Sequence, residues 1–105
     1  MAKPDPSDRA WRAVVAAQPP RRKIAVVQKF GSENLRIGGT VFAIHFKGSL
    51  VVKLPADRVT ELRRSGVGEA FILGKREMKE WVAIPPSASR RWRALADEAR
   101  EFVSA

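Results

Sequence analysis

Apolar residues near the N-terminus recur at the spacing of an amphipathic helix. The pattern begins at Ser7 and continues to Gln18, and the proline pair at 19–20 cannot extend it. We therefore predict a first helix over this stretch, with Asp5 or Ser7 as its cap. Residues 1–6, which hold two prolines and few apolar side chains, are predicted to form a flexible tail.

The strongest helical period lies at the C-terminal end of the chain. It predicts a long amphipathic helix that covers one face of a sheet, with Ser87 or Ser89 as its N-cap. The apolar residues of that stripe are Trp92, Leu95, Ala96, Ala99, Phe102 and Val103.

Alternating side chains indicate a β-hairpin over residues 40–54, with a tight turn at 47–49. The residues predicted to share one face of its first strand are Phe42, Ile44 and Phe46. Those predicted to share the core face of its second strand are Leu50, Val52 and Leu54.

Shorter runs predict the remaining elements. Residues 35–37 extend the hairpin into a meander, while 24–27 forms either a strand or a helical turn. A helix is predicted over 55–65, where Pro55 suits its first position and Gly66 suits a left-handed end. Two further strands are predicted at 71–73 and 79–84.

This order of elements predicts an α+β fold of two layers. Because short turns join the strands, the sheet should be mostly antiparallel, with the helices packed on it. A chain of 105 residues fits one domain, which we place at 7–105.

Composition removes several classes of chemistry. The chain has no cysteine, so disulfides, thiolate metal sites and a cysteine nucleophile are excluded. It shows no apolar signal segment or membrane span, and we expect a cytoplasmic location with no membrane contact. We expect no cofactor.

His45 is the one histidine of the sequence, and we interpret it as a strand residue without chemistry. A serine and an acid that would complete an acyl-transfer triad with it are not marked. Glu77 and Glu80 are interpreted as part of a solvated charge cluster rather than as paired catalytic carboxylates. The sequence therefore predicts no catalytic residue, no metal site and no enzyme activity.

The charge balance favours a polyanionic partner. Lys and Arg exceed Asp and Glu by 20 to 11, a net charge of +9 that residues 1–55 dominate. We predict that basic loop and strand positions contact phosphates. The candidates are Arg21, Arg22, Lys23, Lys29, Lys47, Lys53, Lys75, Arg76, Lys79, Arg90 and Arg91. Base stacking is disfavoured at this stage, since aromatic residues such as Phe46 and Trp81 fall at predicted core positions.

An ordered series of motifs resembles the MmcQ/YjbR-like and TfoX N-terminal-like proteins over about residues 8–103. The matching segments are Gln28–Ser32, Leu35–Ala43, Leu50–Pro55 and Met78–Pro85. The resemblance implies a two-layer fold like that of secretion chaperones. It also implies DNA binding, the label that the family commonly bears, with Lys53, Lys79 and Glu80 as the polar members of the motifs.

Two hypotheses follow for function. The first is a non-enzymatic domain that binds DNA or another nucleic acid, or that acts as a regulatory protein. The alternative is a protein-binding adaptor or a chaperone-like homodimer that uses an available sheet edge. A monomer and a homodimer are both compatible with the sequence.

Overall fold

The described part of the chain, residues 6–29 and 31–105 of the computed structural model, folds into a sheet covered on one face by helices. This is the predicted α+β fold of two layers. The predicted tail at 1–6, apart from Pro6, and the capping role of Asp5 fall outside the described residues.

The helical layer contains three α-helices and one 3-10 helix. They are α1 (Pro6–Ala16), α2 (Ala56–Arg64), a 3-10 helix (Pro86–Arg91) and α3 (Trp92–Ser104). The predicted end of α2 is confirmed, because Gly66 follows it with a φ of +80°.

The predicted start of the last helix is wrong. Ser87 and Ser89 lie inside the 3-10 helix, and α3 begins at Trp92 without a side-chain cap. Pro86 occupies the first turn of the 3-10 helix, where its fixed φ and missing N–H are tolerated. Ser7 is not a helix cap in the predicted sense either, since it lies within α1 with its hydroxyl 3.0 Å from the Nε2 atom of His45.

All six strands join one antiparallel sheet in the order β1-β2-β3-β4-β6-β5. They are β1 (Ile24–Lys29), β2 (Ser32–Ile37), β3 (Thr40–Phe46), β4 (Ser49–Lys53), β5 (Glu69–Leu73) and β6 (Arg76–Ile84). Residues 24–27, which the sequence assigned to either a strand or a helical turn, therefore belong to the edge strand β1. Strands β2, β5 and β6 begin earlier than predicted, because pairing with neighbours extends them beyond their apolar runs.

A β-bulge corrects the predicted faces of β3. Leu35 pairs with Ala43 and Arg36 pairs with Val41, so Phe42 is an extra residue in the ladder. Phe42 consequently packs in the core beside Ala43, while Ile44 and Phe46 face the other way. The prediction that Phe42, Ile44 and Phe46 share a face is wrong for this reason.

The main core lies between the sheet and the helices. Leu50, Val52 and Leu54 are fully buried there, as the alternation predicted. Val59 and Leu62 of α2 pack on the same face of the sheet, as do the buried apolar residues of α1 and α3. Among the described residues, no helix packs on the opposite face of the sheet, which we call the uncovered face.

Candidate nucleic-acid interface

Strand register identifies the residues of the uncovered face. Side chains of directly paired residues lie on the same side of an antiparallel sheet. Ile44 pairs with Val51, Val51 pairs with Ala83, and Ala83 pairs with Glu69. These residues alternate with the buried core positions, so their row crosses the middle of the uncovered face.

Three aromatic rings form a second, smaller cluster on this face. The ring centroid of Phe71 lies 5.7 Å from that of Phe46 and 6.5 Å from that of Trp81. Phe46 and Phe71 belong to β3 and β5, which are three positions apart in the sheet. A flat sheet would separate those strands by roughly 14 Å, and the twist of the sheet together with the reach of the two side chains closes this gap. Val51, which lies in the intervening strand β4, is completely buried.

Two lysines flank the aromatic cluster. The Nζ atom of Lys47 lies 5.3 Å from the centroid of Phe46, and that of Lys53 lies 6.0 Å from the centroid of Trp81. Such cation–π contacts stabilise an exposed ammonium by about 0.5–1 kcal/mol. Lys47 lies in the β3–β4 turn and Lys53 ends β4, so the lysines mark opposite ends of that strand.

Register brings two further cations onto the uncovered face. Residues separated by an even number of positions in a strand share a face of the sheet. Lys29 in β1 and Arg36 in β2 are each separated in this way from a residue that points to the uncovered face. The Nε atom of Arg36 donates a hydrogen bond of 3.0 Å to Asn34, which fixes its head beside the same row. Arg36 was missed by sequence reasoning. The alternation of β2 could have revealed it, because Leu35 and Ile37 take the core positions on either side.

Acidic residues are concentrated elsewhere. Among the described residues that pair regularly in the sheet, Glu69 is the one acidic residue that the register places on the uncovered face. Most described acidic residues belong to the helices and are Asp8, Asp57, Glu61, Asp97, Glu98 and Glu101. Several of these neutralise arginines within the helical layer, as Glu98 does for Arg58 at 2.7 Å. The helices also hold nine arginines against these six carboxylates, so the helical layer is itself net basic.

An open depression of about 430 Å³ lies beside Trp81, at the β6 side of the uncovered face. Its charged lining residues are Lys53, Arg76, Glu77, Lys79 and Glu80. Glu77 accepts a hydrogen bond of 2.5 Å from Arg63 of α2, which offsets its charge. The depression thus combines an indole ring with three of the predicted phosphate-binding cations.

The other predicted cations are distributed around the molecule. Arg21, Arg22 and Lys23 precede β1, and Arg22 pairs with Glu101 at 3.2 Å. Arg90 and Arg91 belong to the 3-10 helix, which packs on α1 and α3 in the helical layer. Lys75 lies in the β5–β6 turn. The predicted set is therefore divided between the two layers and the loops.

The exposure of Phe46 and Trp81 differs from the sequence interpretation. Both side chains were assigned to the core, yet they lie partly exposed on the uncovered face. Alternation identifies the two faces of a strand but does not tell which face a helix covers, and here both faces are apolar. The rings of Phe46 and Trp81 are therefore accessible enough to contact a base.

His45 lies in a small polar cluster on the helical side of the sheet. Its ring stacks on Trp11 with centroids 5.4 Å apart, and its Nε2 atom lies 3.0 Å from the hydroxyl of Ser7. The Nδ1 atom of His45 lies 3.9 Å from Asp8, too far for a hydrogen bond. Sequence reasoning did not bring Ser7 and Asp8 to His45. Ser7 is completely buried, which denies a substrate access to its hydroxyl, and the cluster attaches α1 to β3.

The comparisons with known proteins give no relative. The chain matches no family model, no curated protein and no solved structure. Within the described residues, no helix is both long enough and apolar enough to span a bilayer. The same residues contain no group of three or more histidine or carboxylate side chains suited to holding a metal ion.

Proposed function

We propose that this protein is a non-enzymatic domain that binds nucleic acid through the uncovered face of its sheet. One observation carries the proposal: Lys47 and Lys53 flank the partly exposed rings of Phe46 and Trp81 at the two ends of this face. A polyanion that approaches the uncovered face meets these two lysines first.

The resemblance to the MmcQ/YjbR-like proteins supports the same proposal. Lys53 and Lys79, the basic members of the matching motifs, both line the depression beside Trp81. Membership in that family is itself part of the proposal. The physical case rests on the charges of this chain, because a shared fold does not by itself imply a shared function.

Two variants with equal loss of charge test the proposed face. In the first, Lys47, Lys53 and Lys79 are replaced by Gln. In the matched control, Arg90, Arg91 and Arg93 of the helical layer are replaced by Gln. Fluorescence anisotropy of a labelled oligothymidine then gives the affinity of each variant as the salt concentration rises.

We expect the face variant to bind less tightly than the parent at every salt concentration. Its plot of log affinity against log salt should be less steep by about 2, since each lost phosphate contact removes about 0.7 for a single strand. The control variant should keep at least most of the parental slope. Equal losses in the two variants would show only a non-specific effect of net charge and would refute the proposed face.

The edge strand β5 favours a second candidate function, a homodimer of the adaptor or chaperone-like kind. Ile72 and Leu73 are 57% and 49% exposed at this edge. Antiparallel pairing of two copies of β5 about Ile72 would set Glu69 of one copy opposite Lys75 of the other. Charge complementarity and apolar contact therefore favour a second copy as the occupant of this edge.

Light scattering after size-exclusion chromatography tests the dimer. The variant Ile72→Lys should be monomeric at concentrations where the parent is a dimer. Val26→Lys is the matched control, because Val26 is 47% exposed on the opposite edge strand. A parent that stays monomeric at all accessible concentrations would rule this candidate out.

A further inference from the structure

The centre of the uncovered face is apolar, which suits exposed bases better than a duplex. Between the cations at its two ends lies the row of Ile44, Val51 and Ala83, in which Val51 is fully buried while Ile44 and Ala83 remain partly exposed. A duplex presents phosphates but keeps its bases stacked inside, so it would cover this row without apolar contact. A single strand can turn its bases toward the protein, where aromatic rings accept them.

Trp81 is the ring best placed to accept a base. Trp11 is 2% exposed and Trp92 is fully buried, whereas Trp81 is partly exposed and lines the depression. Lys53, Arg76 and Lys79 line the same depression. A nucleotide joins its base to a phosphate through one sugar, so a single nucleotide can contact the ring and a cation of this depression together.

The position of Lys53 suggests how the site exchanges one cation–π contact for stacking. Its Nζ atom lies over the indole of Trp81 at 6.0 Å. A base that stacks on this ring displaces the ammonium group, which then lies beside the phosphate of the same nucleotide. The lost cation–π contact is weaker than the stacking of one base, so the exchange favours binding.

We infer that the nucleic acid bound is single-stranded, with a base stacked on Trp81 and its phosphates held by Lys53 and the neighbouring cations. This inference rests on the proposed function and specifies its ligand. DNA and RNA single strands share the required chemistry, so oligothymidine and oligouridine are both used as probes.

The test compares single strands with a duplex of the same length for the parent, Trp81→Phe and Trp81→Leu. Phe102→Leu is the matched control, because Phe102 is a partly buried ring of α3 in the helical layer. Thermal unfolding checks that each variant is folded. Fluorescence anisotropy gives the affinities, and the emission of tryptophan reports on stacking.

We expect the parent to bind a single strand at least tenfold more tightly than the duplex. Trp81→Leu should weaken single-strand binding roughly 5- to 100-fold while leaving duplex binding unchanged. Trp81→Phe should lose only a few-fold, because it keeps a ring, and Phe102→Leu should match the parent. The single strand should quench tryptophan emission in the parent but not in Trp81→Phe.

Two results separate this inference from the function on which it rests. If duplex binds as tightly as single strands and Trp81→Leu loses nothing, the single-strand inference is overturned and the nucleic-acid function stands. If no strand binds better than it does to an unrelated protein of similar charge, both are overturned. Should Trp81→Leu not fold, the absence of quenching in the parent would still overturn the inference.

Discussion

Gly68 is packed so closely between α2 and β6 that a side chain does not fit. A Cβ atom at this position would lie 2.5 Å from Cγ2 of Val82 and 3.3 Å from Cδ1 of Ile84. Both neighbours are fully buried, so neither can move into solvent. The backbone conformation of Gly68 is one that other residues can adopt. Glycine is needed here because two elements approach each other closely.

We predict that Gly68→Ala destabilises the protein by about 1–3 kcal/mol through overpacking. Chemical denaturation measures the loss. The control is a double-mutant cycle with Val82→Ala, which removes the atom that the new methyl group meets. The penalty of Gly68→Ala should shrink in the Val82→Ala background, and an undiminished penalty would contradict this cause.

Lys47 and Gly48 form the two-residue turn between β3 and β4, with φ angles of 49° and 81°. Positive φ at both central residues is the geometry in which Asn-Gly is preferred. Asparagine at position 47 would relieve strain in the turn but lose the contact with Phe46. These effects oppose each other and are each about 1 kcal/mol.

We therefore predict that Lys47→Asn changes the free energy of unfolding by less than about 0.5 kcal/mol. The same variant should weaken the binding of oligothymidine and flatten its salt dependence by about 0.7, the contribution of one phosphate contact. Parallel denaturation and anisotropy titrations check both statements. Parental binding by a stable Lys47→Asn protein would exclude Lys47 from the interface.

At the scale of elements, Arg100 connects α3 with α1. Its guanidinium donates to Gln18 at 2.9 Å, to Asp97 at 2.8 Å and to Glu101 at 2.9 Å. Gln18 in turn donates to the carbonyl of Val14 in α1. The end of α1 is thus held against α3 by a charged group that is almost completely buried.

This contact makes stability depend on pH in the acidic range. The hydrogen bond from Arg100, helped by the charge of Arg22, lowers the pKa of Glu101 below that of an ordinary glutamate. On acidification the unfolded chain therefore binds a proton at this residue before the folded protein does. The stabilisation is complete above the unfolded pKa and is lost as the pH falls through the folded pKa.

We predict that Glu101→Gln removes this part of the acid dependence. The stability of the parent and that of the variant should converge as the pH falls through this range, and high salt should reduce the difference because Glu101 is exposed. Denaturation at a series of pH values measures the effect. An equal decline in both proteins would show that Glu101 does not contribute to it.

Elements with a clear local signal were predictable from the sequence. The bounds of the β3–β4 hairpin, but not the bulge at Phe42, were predicted closely because alternation and a turn glycine agree there. The start of α3 was not, since Ser87 and Ser89 have the chemistry of helix caps while the proline pair before them directs the chain into a 3-10 turn. The strand β1 remained ambiguous because its pairing partner, and not its own sequence, decides its conformation.

The candidate site was predictable only in part. Lys47 and Lys53 are visible as basic residues at the ends of a predicted strand. The position of Trp81 on the uncovered face depends on which side the helices pack, and that choice is made by long-range contacts. The contact of Phe46 with Phe71, which spans two intervening strands, is likewise a property of the whole sheet.

Across the protein as a whole, we expect nucleic acid to contact the uncovered face and not the helical layer. The chain has three tryptophans, and each gives one indole N–H signal in a nitrogen-15 NMR spectrum. The indoles of Trp11 and Trp92 donate to Glu33 at 2.8 Å and to the carbonyl of Pro85 at 3.3 Å, on the helical side of the sheet. The three signals therefore report on both layers at once.

The most direct measurement is a titration of the nitrogen-15-labelled protein with oligothymidine, followed at these three signals. The proposed interface predicts that the Trp81 signal moves progressively, while those of Trp11 and Trp92 keep their positions. A stationary Trp81 signal during binding, or movement confined to Trp11 and Trp92, would contradict it.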